Sequence, residues 1–198
     1  MKNDIRVNME NLNQTERDML LKLIEKANKG MPLSSVAIGD TFKVADIEFI
    51  HFGDGVAVAK DALFSATFGD NNNFAKSGLL NKLKNEVLPK IENAIGSDNV
   101  LEFETDLLSL DGSDKYGTLK SKISLPTFDF YRKNVKIFDK YKLSKWWWLA
   151  TPDSTEDHTN DDWVVCVTPD GYLSCNRYYY DIGVRPFCRF KSSILVTC

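Results

Sequence analysis

Histidine is almost missing from this chain: only His51 and His158 occur in its 198 residues. There is no His-Glu-x-x-His, no Gly-x-Ser-x-Gly and no phosphate-loop spacing. The usual marks of a zinc protease, a serine hydrolase and a nucleotide-binding loop are therefore absent. Residues 69–78 (GDNNNFAKSG) contain glycine and lysine, but they read as a loop entering a helix. The four cysteines, Cys166, Cys175, Cys188 and Cys198, form no Cys-x-x-Cys pair, which argues against a zinc ribbon. The first residues, MKNDIRVNMENLNQ, are charged throughout and have no apolar stretch, unlike a signal peptide. The cysteines are accordingly expected as free thiols packed on strands. No run approaches the ~18 apolar residues of a membrane span. The net charge of −3 leaves no basic excess for nucleic acid. The expectation is a chain made in the cytoplasm without a signal peptide, with no membrane insertion, no nucleic acid partner, no cofactor and no metal.

What is present is globular: 43% apolar and 27% charged residues, in a length that suits one ordinary domain with a short appendage. Residues 15–29 predict a helix, with Thr15 as N-cap, Glu16 and Asp18 in the first turn, and an apolar stripe through Leu20, Leu23, Ile24 and Ala27. Gly30 and Pro32 end it. From Val36 the pattern alternates, and Gly-Asp-Gly at 53–55 marks a hairpin. Residues 79–95 return to helical period through Leu80, Leu83, Val87, Ile91 and Ile95, with Pro89 forcing a kink or a new start. Residues 99–117 look like a strand and a turn, whereas 126–141 are aromatic and mixed and give no assignment. WVVCVT, the turn PDG and YLSC read as a second hairpin, and GVRPFCRF as a final strand.

Several groups could carry chemistry, and each has a plain structural alternative. His51 lies in a strand-like run and is expected to be half exposed. His158 could pair with a nucleophile such as Cys166 or Cys188, although no spacing argues for it. Asp153, Glu156, Asp157, Asp161 and Asp162 could hold calcium, or could simply be a solvated acidic loop. Trp146, Trp147 and Trp148 could form a sugar-stacking face, or could be core, with alternate rings on opposite faces of a strand. Tyr172, Tyr178, Tyr179 and Tyr180 cannot all be core if the segment is extended. Together with Asn176, Arg177 and Asp181 they have the composition of a binding loop, or of a tyrosine-rich edge strand.

The segment Trp147-Trp148-Leu149-Ala150-Thr151-Pro152, the pair Asp170-Gly171 and the ending Gly183-Val184-Arg185-Pro186 resemble an uncharacterised domain family of gut bacteria and their phages. Members of that family end in Trp-Trp-Leu-x-Ser-Pro, then Asp-Gly, then Gly-Val-Arg-Pro. The resemblance covers about residues 36–192. Thr151 stands where the family has serine. The front hairpin and the helix after it are similar in a supporting way. The family resembles C-type-lectin-like folds, in the branch shared with formylglycine-generating enzymes and with the variable proteins of diversity-generating retroelements. That resemblance implies a buried, hydrogen-bonded Arg185, a Pro186 that ends strand pairing, and changeable residues displayed just before them. The lectin calcium triplet is absent, and so is a cysteine arrangement for formylglycine-type oxidation.

The resulting expectation is an α+β, C-type-lectin-like domain over residues 33–198, with residues 1–32 as a helix that anchors or oligomerises it. It would be a non-enzymatic binding module of phage or prophage origin, virion-associated and homo-oligomeric, whose residues 153–162 and 172–181 have a composition open to diversification. Its ligand would be a cell-surface protein or glycan. The binding patch would comprise Asp157, His158, Asn160 and Asp161 with Tyr172, Asn176, Arg177, Tyr178, Tyr179, Tyr180 and Asp181. The alternative is a structural head or tail component, in contact with other virion proteins, that uses the same surface between subunits.

Overall fold

The computed structural model describes residues 12–28 and 30–198. Helix α1 (Gln14–Asn28) opens on a reciprocal cap. The Glu16 backbone N–H donates to Asn13 Oδ1 at 3.0 Å, and the Asn13 N–H donates to Glu16 Oε2 at 2.9 Å. Asn13, not Thr15, is therefore the cap: only a residue three before Glu16 can close both bonds at once. Leu20 is half-buried; the side chains of Leu23, Ile24 and Ala27 lie outside the described residues, as do residues 1–11.

Strand β1 (Met31–Pro32) leads into an antiparallel meander of β2 (Thr41–Val44), β3 (Ile47–His51) and β4 (Val56–Ala59). The β3–β4 turn requires left-handed backbone at three successive residues, Gly53, Asp54 and Gly55, with φ of 92°, 49° and 74°. Two of those places belong to glycine, which adopts such angles without a Cβ penalty. β5 (Phe64–Ala66) follows.

Helix α2 (Gly78–Lys82) is capped by Ser77, whose Oγ accepts from Leu80 N–H. It runs through a π turn at Leu83–Val87 into α3 (Leu88–Ile95). There the Leu88 N–H reaches back five residues to Leu83 O. The wide turn lets the chain stay helical past Pro89, which has no N–H and whose ring would crowd the carbonyl four residues back. Leu79, Leu80, Leu83, Val87 and Ile91 form its buried stripe.

Short strands β6 (Val100–Leu101), β7 (Phe103–Asp106), β8 (Thr118–Ser121) and β9 (Ile123–Ser124) come next. The unassigned aromatic stretch folds as α4 (Phe128–Lys133), capped by Thr127 Oγ1, and α5 (Val135–Phe138). The chain then forms β10 (Trp147–Pro152), β11 (Trp163–Val167), β12 (Leu173–Arg177), β13 (Ile182–Val184), β14 (Phe187–Phe190) and β15 (Leu195–Val196). The architecture is α+β. One sheet has the order β12-β11-β10-β13-β5, and a second β2-β3-β4-β14-β6 with β9 also on β14; β1-β15 and β7-β8 are separate two-stranded ribbons.

GVRPFCRF is thus not one strand. Its first part joins the first sheet, its second part joins the other, and the chain crosses between them at Arg185 and Pro186. Pairing does lapse at Pro186, although its carbonyl still accepts from Ala59 N–H at 2.9 Å. Arg185 is 1% exposed. Its Nε donates to Ala59 O at 2.8 Å, and its guanidinium lies 4.7 Å from the Trp147 ring centre and 5.2 Å from that of Phe138.

β10 is buried along its whole length. Trp148 and Ala150 enter the main core between the sheets and the α2–α3 helix; Trp147 and Leu149 enter a smaller core under α4 and α5. Alternate side chains of a strand face opposite ways, so a sheet covered on both sides reads as a continuous apolar run. Trp146, 38% exposed, lies just outside. His51 is buried at 5% exposure, not half exposed. Its Nδ1 bonds to Val36 O at 2.8 Å and its ring packs edge-on to Phe42, because the 33–36 segment covers that face of β3.

Candidate functional site

β12 is an edge strand, paired only with β11, and its partial exposure contrasts with the buried β10 and β11. The pairing sets Arg177 opposite Trp163. The guanidinium lies 5.3 Å from the Trp163 ring centre and 6.0 Å from that of Tyr179. Its Nη1 donates to the Tyr179 hydroxyl at 2.9 Å, and its Nε lies 3.4 Å from Asp162 Oδ2. The tyrosines after it are not extended. Tyr180 N–H closes a turn on Arg177 O at 2.9 Å. This turn aligns Tyr179 and Tyr180 in a stack, centroids 5.3 Å apart and planes at 25°, with 48% and 50% of their surface exposed. Tyr178 packs half-buried against the main core, and its backbone is clamped by bonds from Phe68 N–H and to Asp162 O.

The loop between β10 and β11 is tethered from inside. Ser154 and Thr155 are buried. Asn72 Nδ2 donates to Ser154 O at 2.8 Å and to Trp163 O at 3.2 Å, and Tyr116 Oη donates to Asn72 Oδ1 at 2.7 Å. Asn160 takes a positive φ of 75° and accepts from Trp163 N–H. Asp157 pairs with Lys115 at 2.7 Å, and Glu156 shares that lysine. His158 Nδ1 lies 2.6 Å from Asp111 Oδ2, while Ser109 Oγ donates to the other carboxylate oxygen. Bonding from Ser109 and then from His158 holds the Asp111 carboxyl down at about 2. Asp161 and Asp181 are exposed.

The predicted residues therefore fall into three places. Arg177, Tyr179 and Tyr180 form one braced face, with Asp162 and the unforeseen Trp163. Asp157 and His158 belong to a polar cluster with Asp111 and Lys115. Tyr172, 73% exposed, sits at the β11–β12 turn. The intervening strand, at ~3.3 Å per residue, sets it about 20 Å from Tyr178. Asn176 is half-buried on β12, its Oδ1 accepting from Arg177 N–H. Asn72 and Tyr116 escaped notice because their contacts join distant parts of the chain. Trp163 could have been found from the cross-strand register once PDG was taken as the turn.

Among the described residues no three His, Cys, Asp or Glu side chains are grouped as metal ligands, and no helix is long and apolar enough to cross a membrane. Among the described residues the thiol contacts go to Ser174 O, Asp153 and Met31, and the His158 ring is on Asp111. Burial pushes the Cys166 and Cys175 thiols up to about 12 and raises Cys188 as well. Cys198 alone is exposed. A chromogenic disulfide reagent at neutral pH is expected to titrate Cys198 rapidly and the other three only in denaturant. A fast Cys166 or Cys175 would mean that β11–β12 opens in the native state, and a fast Cys188 that β14 does.

No protein-family model, no curated protein and no solved structure matches this chain.

Proposed function

We propose that the chain is a non-enzymatic binding module of phage or prophage origin, on a C-type-lectin-like variant of the α+β fold, and that its Arg177–Tyr179–Tyr180 face binds a protein or glycan on a cell surface. The carrying observation is the stacked, half-exposed tyrosine pair. Arg177 braces it against Trp163, on the edge of a sheet whose inner strands are fixed from both sides. Tyrosine offers large contact area at small entropic cost, and here the rings are already ordered before any partner arrives. The fold reading draws on the buried Arg185 where the motif implies one, and on the β1–β15 ribbon that joins the two ends of the domain.

The test is binding of fluorescently labelled chain to intact gut-bacterial cells and to a glycan array. Replacing Tyr179 and Tyr180 together by alanine is expected to weaken capture by about 30-fold or more, as for central aromatic hot spots, and to leave the melting temperature within about 1 °C. Unchanged capture overturns the reading. Parallel loss of folding would reassign the pair to structural packing. Protection of both rings only within an assembled particle would favour the head or tail component.

A further inference from the structure

The β7–β8 ribbon has a free side. β7 pairs with β8 alone. Its parity is fixed just past its end, where Leu107 N–H donates to Gly117 O at 3.0 Å. Residues 107 and 117 are thus a hydrogen-bonded pair, and by alternation so are 105 with 119 and 103 with 121. The backbone N–H and C=O of Glu104 and Asp106 consequently point away from β8. No backbone partner meets them there among the described residues.

A cavity of about 220 Å³ lies along that side. All four β7 residues line it and no β8 residue does; its far wall is Leu125, Thr127, Phe130 and Phe187. It meets a second cavity, of about 280 Å³, at Asp106 and Thr127, which line both. The second has apolar walls in Leu108, Leu110 and Phe128, and Leu108 and Leu110 are each at least 40% exposed. Its charged groups are Asp106, Asp129 and Arg132, and Arg132 is engaged by Asp129 at 2.8 Å and lies over Phe128. Along the whole groove three carboxylates, Glu104, Asp106 and Asp129, face that single guanidinium. The neighbouring Lys120 is taken by Glu102.

We propose that this groove accepts an extended peptide segment of another protein as an added strand beside β7. The outward backbone groups of Glu104 and Asp106 would give the strand its hydrogen bonds. Strand residues two apart lie on one side at ~6.6 Å spacing. The first such residue would be apolar, seated among Leu125, Phe130 and Phe187. The next on that side would be lysine or arginine, its stem along Leu108 and Phe128 and its cation near Asp106 and Asp129. This face is separate from the tyrosine pair, and the proposal does not rest on it.

The test is a chemical-shift titration of isotope-labelled full chain with the blocked pentapeptide Thr-Ile-Thr-Lys-Thr. Shifts are expected at residues 103–110 and 125–132, with the Glu104 and Asp106 amides moving downfield. Successive strand residues point their N–H groups to opposite sides. Of two probes N-methylated at the central threonine or at the lysine, one should therefore lose binding at least tenfold and the other should keep it. Replacing the probe's lysine by glutamate should weaken it about tenfold. In Asp106→Asn, which retains an acceptor for Leu108 N–H, that preference should shrink. Absence of shifts at millimolar probe, equal binding of both N-methylated probes, or shifts confined to Tyr179 and Tyr180 would each overturn the proposal.

Discussion

Replacing Arg185 by alanine is expected to lower unfolding free energy by about 3–4 kcal/mol, from the lost charge-assisted bond, the lost contact with two rings and the space left behind. The residue is among the largest fully buried side chains. Among the described residues it has no ion-pair partner, and its Nη2 has no hydrogen-bond partner. Burial pulls its pKa down to about 10, with Asp61 and then Tyr131 pulling weakly the other way, so it is still charged at neutral pH. An unpaired buried charge is expensive, which makes Arg185→Met the informative companion. Methionine keeps much of the volume between Trp147 and Phe138 and removes the charge. It should lose only about half as much as alanine. If denaturant midpoints for the two variants coincide, the bond to Ala59 O outweighs packing and desolvation. If neither shifts, the crossing between sheets does not depend on Arg185.

Gly55→Ala should be almost as damaging, by about 3 kcal/mol or more. Two effects coincide there. The φ of 74° is left-handed, and a Cβ would fall well inside contact of the Phe190 carbonyl, part of a backbone that cannot swing away. The Gly55 carbonyl also accepts Phe190 N–H at 2.8 Å, so displacement breaks the junction between the β3–β4 turn and β14. Gly112→Ala is the control. Its φ is 88°, but nothing lies within 4 Å of the added carbon. It should cost only the conformational term, about 1–2 kcal/mol. Equal destabilisation of the two in thermal melts would show that backbone angle, not the approach to Phe190, is what matters at Gly55.

Local signals were legible where a short stretch decides its own shape. Gly53-Asp54-Gly55 announced its hairpin, and the leucine-rich stripe its helix. Even the Asn13 cap had a signature, an asparagine three residues before Glu16 at a helix start. Residues 128–138 resisted because two helices of six and four residues are too short to show a period. His51 deceived because its second face is closed by a segment fifteen residues earlier, which no alternation pattern records. The candidate site was half legible. The tyrosines declared their composition, but a turn without glycine or proline reoriented them. The supports at Asn72 and Tyr116 depend on partners 44 to 91 positions away. Arg185 was marked only through the resemblance; composition alone would have placed an arginine at the surface.

The crossing at Arg185 and Pro186 also sets an order of events in time. β4 borders the β2–β3–β4 meander, yet its other neighbour is β14, with Val58 opposite Phe187; β5 pairs with β13, Ser65 opposite Gly183. The meander can form early from nearby residues, but both main sheets stay unfinished until residues 182–190 exist and have travelled back. Closing such long loops precedes the contacts that reward it. The front of the chain must wait, with the edges of β4 and β5 open, for strands synthesised more than a hundred residues later.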